Sequence, residues 1–247
     1  MISKIKQEYY DTKKLLRNTP PMVMTILCIS IILMNLFANK ELVNISYLAL
    51  DCGFLLSWIS FLCMDMLTKR FGAKAAIKLS LIGILCNLCT CGVFFIIAKV
   101  GGNWSEFYNY NIAEINTAIN NTLAGSWYIL FGSTVALACG SVVNSVINGA
   151  IGKILKNNST FKSYALRSYV STMVGQFIDN LIFALIVSQV LFGWTFIQCI
   201  VCSFVGAIAE LLSEVIFSPI GFKVCKKWER EHVGEDYINY INNGVKE

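Results

Sequence analysis

The side chains best suited to chemistry in this chain sit inside its most apolar segments. In SYVSTMVGQFIDNLIFALIV, residues 168–187, Thr172, Gln176 and Asp179 follow i, i+4, i+7 spacing, so a hydroxyl, an amide and a carboxylate share one helical face. Asp179 lies about 18 to 20 Å from Arg167 on one side and Phe192 on the other at helical rise. An ionised group at mid-membrane costs about 2.5–3.5 kcal/mol on insertion scales and usually faces a cavity or a partner. A three-residue stripe reads as a cavity wall, whereas a single Asp could be only a staple between helices.

Three further segments carry buried polarity. CGSVVNSVINGAIG sets Ser141, Asn144, Ser145 and Asn148 at helical spacing among small residues, which suits close helix packing. Asn144 also offers a donor and an acceptor to a planar polar ligand. Glu210 and Glu214 lie one turn apart in GAIAELLSEVIFSPIG, both assigned to the inner part of their span. Carboxylates so close repel, so one is suited to carry a proton; the competing expectation is pairing with Arg167 or Lys69. Asp179, Glu210 and Glu214 are therefore the proton-coupling candidates. Asp65, in SFLCMDMLTKRFGAKAA, can reach Lys69 at i+4 or line the cytoplasmic gate of a pathway.

Enzyme and metal chemistry find little support. The only histidine is His232, and no HExxH, no GxxxxGK[ST] loop and no Ser/His/Asp set occur. Cys86 with Cys89, and Cys199 with Cys202, have CxxC spacing but lie inside apolar helices, where small packing residues are the expectation. No catalytic site, metal or cofactor is expected.

The elements that position these residues are membrane helices. The chain of 247 residues is 56% hydrophobic and 14% charged, and its mean hydropathy is +0.62. Six apolar windows stand out, approximately Met22–Asn39, Ile45–Leu67, Ala75–Val100, Gly125–Leu155, Tyr164–Phe192 and Trp194–Val224. No strand alternation is apparent, so every span reads as a helix. Basic residues flank alternate joins: Lys69, Arg70, Lys74 and Lys78; Lys153, Lys156, Lys162 and Arg167; Lys223, Lys226, Lys227 and Arg230. The positive-inside rule then places both termini in the cytoplasm and accounts for a net charge of +5 without nucleic acid. The expected fold is an all-α integral membrane protein of six transmembrane helices in the cytoplasmic membrane. Residues 1–21 form a leader on the headgroups, 22–225 the membrane domain, and 226–247 a frayed cytoplasmic tail. The outward loop 101–124, with Trp104, Tyr108 and Tyr110, is the candidate lid.

Taken together, FLCMDMLTKRFGAKAAIKLSLIG, ALRSYVSTMVGQFIDNLIFALI and AELLSEVIFSPIG resemble the YhhQ/VUT family of queuosine-precursor transporters, which are similar in architecture to vitamin-uptake S components. The likeness spans roughly Ile45 to Lys226. One departure is Lys69, where many members carry an acidic residue. The resemblance implies import of a deazapurine solute such as queuine, preQ1 or preQ0, and points to Asp65, Arg167, Ser171, Gln176 and Asp179 as binding residues. Asn144 and Glu210 join them on the physical argument above. Trp58, Phe177 or Phe183 could stack on the base. Two other readings stand beside it: an S component served by a separate ATPase module, and a scaffold whose polar stripes only staple helices. The partners implied are the solute and membrane lipid.

Overall fold

The computed structural model describes residues 2–102, 104, 112–125, 127–155, 160–191 and 193–243. Helices α1 (Ile2–Asn18) and α2 (Pro21–Phe37) are followed by strands β1 (Glu41–Ile45) and β2 (Leu48–Asp51). Helices α3 (Phe54–Phe71), α4 (Ala73–Lys99), α5 (Ile112–Gly125), α6 (Trp127–Ile154) and α7 (Phe161–Phe183) come next. A π-helical turn (Ala184–Ser188), α8 (Gln189–Leu191), α9 (Phe196–Arg230) and α10 (Glu235–Asn242) complete the chain.

Local chemistry sets these boundaries. Pro20 and Pro21 break the first helix and start the second, with a bend of 105° between them. Gly72 separates α3 from α4 at φ 87°, a conformation that a β-carbon disfavours. Thr160 caps α7 through the amide of Ser163, and Thr195 forms a reciprocal capping box with Gln198 at the start of α9.

The molecule is apolar on its outside, and its interior holds many polar side chains beside an apolar core. Leu85, Ile96, Phe204, Leu212 and Ile216 face outward, whereas Asp65, Asn144, Asn148, Gln176, Glu210 and Glu214 are buried. That inversion is the mark of a bundle solvated by lipid. Helices α4 and α9, the stretch that runs through α6, and α7 with its π turn are long and apolar enough to cross a membrane. A fifth span appears if the bent pair α1–α2 counts as one. Helix α3 carries Asp65, Lys69 and Arg70, and it can, because from Ser60 to Thr68 it is enclosed by its neighbours.

Helix α7 is held against α6 at Gly140 and Gly175. A β-carbon on Gly140 would lie 2.8 Å from Asp179 Cβ, and one on Gly175 would lie 2.8 Å from Asn144 Cβ. Without side chains there, the two polar stripes come together.

Three expectations change. Residues 41–51 form an antiparallel hairpin rather than the start of a helix, with Ile45 opposite Leu48. The tail is not frayed over its described part: α9 runs to Arg230, and α10 docks on α1. There Tyr240 donates to Asp11 Oδ1 at 2.7 Å and accepts from Gln7 at 2.7 Å, with Lys14 Nζ 4.1 Å from the Tyr240 ring centroid. The bond to Asp11 holds the Tyr240 hydroxyl above its ordinary pKa. Arg167, counted with the loop charges, is buried in the bundle. In loop 101–124 the Trp104 indole donates to Asn120 Oδ1 of α5 at 2.9 Å, while Tyr108, Tyr110 and Lys156 lie outside the described residues.

Candidate functional site

Two polar regions occupy the bundle, one toward Gly72 and one beneath the hairpin. The first is a hydrogen-bond lattice centred on Asp65 of α3. Its Oδ1 accepts from Asn144 Nδ2 at 2.9 Å, Asn148 Nδ2 at 2.7 Å and, at the limit of range, Ser171 at 3.5 Å. Its Oδ2 accepts from Thr172 at 3.2 Å and also meets the Ser168 hydroxyl. Arg167 donates through Nε to Asn148 Oδ1 at 2.7 Å, so one amide links the cation to the anion. The Arg167 guanidinium reaches this position by lying against the bare backbone of Gly152. Ser168 meets Glu214 Oε1 of α9 as well. Four helices converge on one carboxylate.

The second region is a cavity of about 50 Å³ lined by residues from α2, β2, α3, α6, α7, the π turn and α9. Asp179 and Asn180 form one wall, Asn35 and Ser133 another, and Phe183 and Trp194 supply aromatic surface. Leu50, Asp51 and Gly53 bring the hairpin over it. Just behind, Glu210 accepts from Ser57 and, at 3.2 Å, from Asn180 Nδ2. Asp179 Oδ1 and Asn35 Nδ2 in this lining lack partners among the described residues, as do both amide atoms of Gln176, one turn along α7. Each such group costs about 1–3 kcal/mol when buried unmatched. A fold keeps several of them together where something else is meant to satisfy them.

Residues 51–224 match a family described as "Putative vitamin uptake transporter", a span that covers most of the chain, the whole Asp65 lattice and the cavity lining except Met34, Asn35, Ala38 and Leu50. The chain belongs to that family. It is a multi-pass membrane protein of a transporter family. Comparisons with curated proteins and with solved structures give no match.

In this transporter the residues singled out from sequence divide between the two regions. Asp65, Asn144, Arg167, Ser171 and Glu214 belong to the lattice, and Asp179 to the cavity, with Gln176 between them on α7. Glu210 stands with the cavity rather than with Glu214, and neither bonds Arg167 or Lys69. Lys69 instead meets Glu229 at 3.7 Å, so the i+4 pair with Asp65 is not made. Asp65 is buried, so the alternative of a surface pair with Lys69 does not hold. Trp58 stacks on Phe217 with centroids 4.4 Å apart, beside an apolar groove away from the cavity, and of the three aromatic candidates only Phe183 lines the cavity.

Sequence reasoning missed Asn35, Asp51, Asn180, Ser168 and Trp194. Ser168 had a signal, since 168, 172 and 176 continue the same i+4 stripe. Asn35 had a weaker one, as an amide within an apolar run. The hairpin, which the six windows do not separate from the helix after it, contributes Leu50 and Asp51 to the cavity lining.

Proposed function

We propose that this transporter imports a queuosine-precursor deazapurine base through the hairpin-side cavity. The carrying observation is the pair of unpartnered buried atoms on Asp179 and Asn35 beside the rings of Phe183 and Trp194, with the unpartnered amide of Gln176 one turn along α7 from Asp179. A guanine-like edge offers adjacent N–H donors that a carboxylate accepts, and a carbonyl that an amide donates to. Aromatic walls suit the faces of a fused ring. On this reading Asp179, Gln176, Asn35 and Asn180 recognise the base, while Asp65, Asn144, Ser171 and Arg167 hold the helices in register below it.

The chain crosses the cytoplasmic membrane six times with both termini inside, α2 and α3 completing the set. The hairpin and the cavity then face outward, where an imported solute arrives. A cavity of about 50 Å³ holds one or two waters, each of which takes about 30 Å³ in the liquid. A bicyclic base needs more, so the hairpin must lift for entry, and the state described here is closed.

Thermal unfolding of the purified protein with queuine, preQ1 and guanine tests the substrate class. Queuine or preQ1 should raise the midpoint while guanine leaves it unchanged. Uptake of labelled preQ1 should fall about tenfold or more in Asp179→Asn and Gln176→Ala, the equivalent of at least about 1.4 kcal/mol. Full uptake by both variants would remove the cavity from the mechanism.

A further inference from the structure

We infer that Glu214, Ser168 and Asp65 form a proton relay that couples solute movement to proton entry. The inference rests on the transport reading and extends it to the energy source.

The argument starts from counting hydrogens. Ser168 has one hydroxyl proton, yet its oxygen meets both Asp65 Oδ2 and Glu214 Oε1. It can donate to one of them and must accept from the other. Asp65 is the natural acceptor, because Asn144, Asn148 and Thr172 all donate to it as well. Amide and hydroxyl donors gathered in this way favour the anion. The Glu214 side is then the donor, so Glu214 carries a proton on Oε1 in this state. The two carboxyls share the single hydroxyl of Ser168, and two full negative charges so close are disfavoured.

The surrounding charges fit one anion and one neutral acid. From α7, Arg167 is joined to Asp65 through Asn148, and the Tyr164 phenol faces the pair. From α3, Lys69 is engaged by Glu229. Helix α9 adds Cys225 and, a turn from Glu214, Glu210, which is held by Ser57 and Asn180. Helix α6 contributes the amides Asn144 and Asn148. One cation is thus linked to two carboxyls, and a proton on one of them balances the charge.

Transfer along the chain is stoichiometric. Glu214 gives its proton to Ser168 Oγ as Ser168 passes its own to Asp65 Oδ2, leaving a carboxylate at 214 and an acid at 65. Asp65 then no longer needs all its donors. Thr172, one of them, shares a face of α7 with Gln176 and Asp179, so occupation of the cavity and protonation of the lattice act on the same helix.

Infrared difference spectroscopy and proteoliposome transport test this together. A protonated-carboxyl carbonyl band should be present in the wild type, disappear in Glu214→Gln and shift in Ser168→Ala. With labelled preQ1, an inward proton gradient should drive accumulation by up to about tenfold per pH unit for one proton per solute. Glu214→Gln copies the neutral acid and should keep preQ1 counterflow without a gradient, while losing gradient-driven accumulation. A band that survives Glu214→Gln, or wild-type accumulation indifferent to the gradient while counterflow proceeds, overturns the relay. Absence of wild-type counterflow overturns the transport reading instead, and the infrared band still decides where the proton resides.

Discussion

Asp65 and Asp179 are both aspartates buried in apolar helices, yet their surroundings are opposite. Asp65 has donors on both oxygens from four residues besides Ser168, whereas Asp179 Oδ1 has none among the described residues. A hydrogen bond to a charged group contributes about 1.5–3 kcal/mol, and an unmatched buried polar group costs about 1–3 kcal/mol. Asp65 is thus a matched carboxylate, although Asn144 Oδ1 and Glu214 Oε2 beside it have no partner among the described residues, and on the proposed reading Asp179 is matched only when a ligand arrives. Residue type alone does not separate them; the partners do.

The comparison breaks most directly on matched alanine variants. Asp65→Ala strips the acceptor from Asn144, Asn148 and Thr172 and leaves Arg167 buried without its anion. It should cost about 3–5 kcal/mol, read as a large fall in the detergent unfolding midpoint. Asp179→Ala should stay within about 1 kcal/mol of the parent, or exceed it, because it deletes an unmatched atom. Equal losses in the two variants would mean that Asp179 is a structural residue and that the division drawn here is wrong.

The sequence displays one side of this division more readily than the other. The stripe Thr172, Gln176, Asp179 and the amides of α6 follow helical spacing, so their shared faces are legible in a single chain. Which face meets which is not. Asn148 stands beside Asn144 in the periodicity, but nothing in the spacing joins it to Arg167 on one side and Asp65 on the other. The hairpin was lost for another reason: ELVNISYLALD is apolar enough to merge with the following helix in a window of about 20 residues. Its polar turn, Asn44 to Tyr47, and the Asp51–Gly53 break were the available signals. Pro219, within the last apolar window, predicts a local kink in its helix. The carbonyl of Val215 that it frees accepts from Ser218 Oγ at 3.3 Å, so α9 continues to Arg230.

The seam between the two regions gives a second test of intermediate size. Gly140 sits where α6 touches α7 at Asp179, and an added β-carbon would also come within 2.9 Å of the Gly175 carbonyl oxygen. Backbone cannot yield as a flexible side chain does. Gly140→Ala should cost about 1–3 kcal/mol and reduce uptake along with stability, since it displaces both Asp179 and its partner helix. Unchanged stability with lost uptake would show that the seam matters only to the cavity.

The smallest expected effect concerns the hairpin. If the cavity is the place where a ligand supplies missing bonds, the segment over it must be held weakly enough to open. Among the described residues its ties across to the α9 end include two hydrogen bonds, Trp194 Nε1 to Glu41 Oε1 at 3.1 Å and Gln198 Nε2 to the Ile45 carbonyl at 3.1 Å, beside the packing of Ala49 on Trp194 and Cys199. Gln198 also serves the capping box of α9, so altering it would disturb a helix start as well. Trp194→Phe is the cleaner change, because it keeps an aromatic ring at the cavity wall while removing the indole N–H together with part of the buried ring surface. One lost hydrogen bond corresponds to about 1 kcal/mol, or roughly a fivefold larger open population. Amide hydrogen exchange in residues 41–51 should accelerate by about that factor, with the Asp65 lattice unaffected. Solute entry should quicken in parallel if opening limits it. Faster exchange without faster entry would assign the limiting step to the helices below, and unchanged exchange would show that the tie is not what holds the hairpin down.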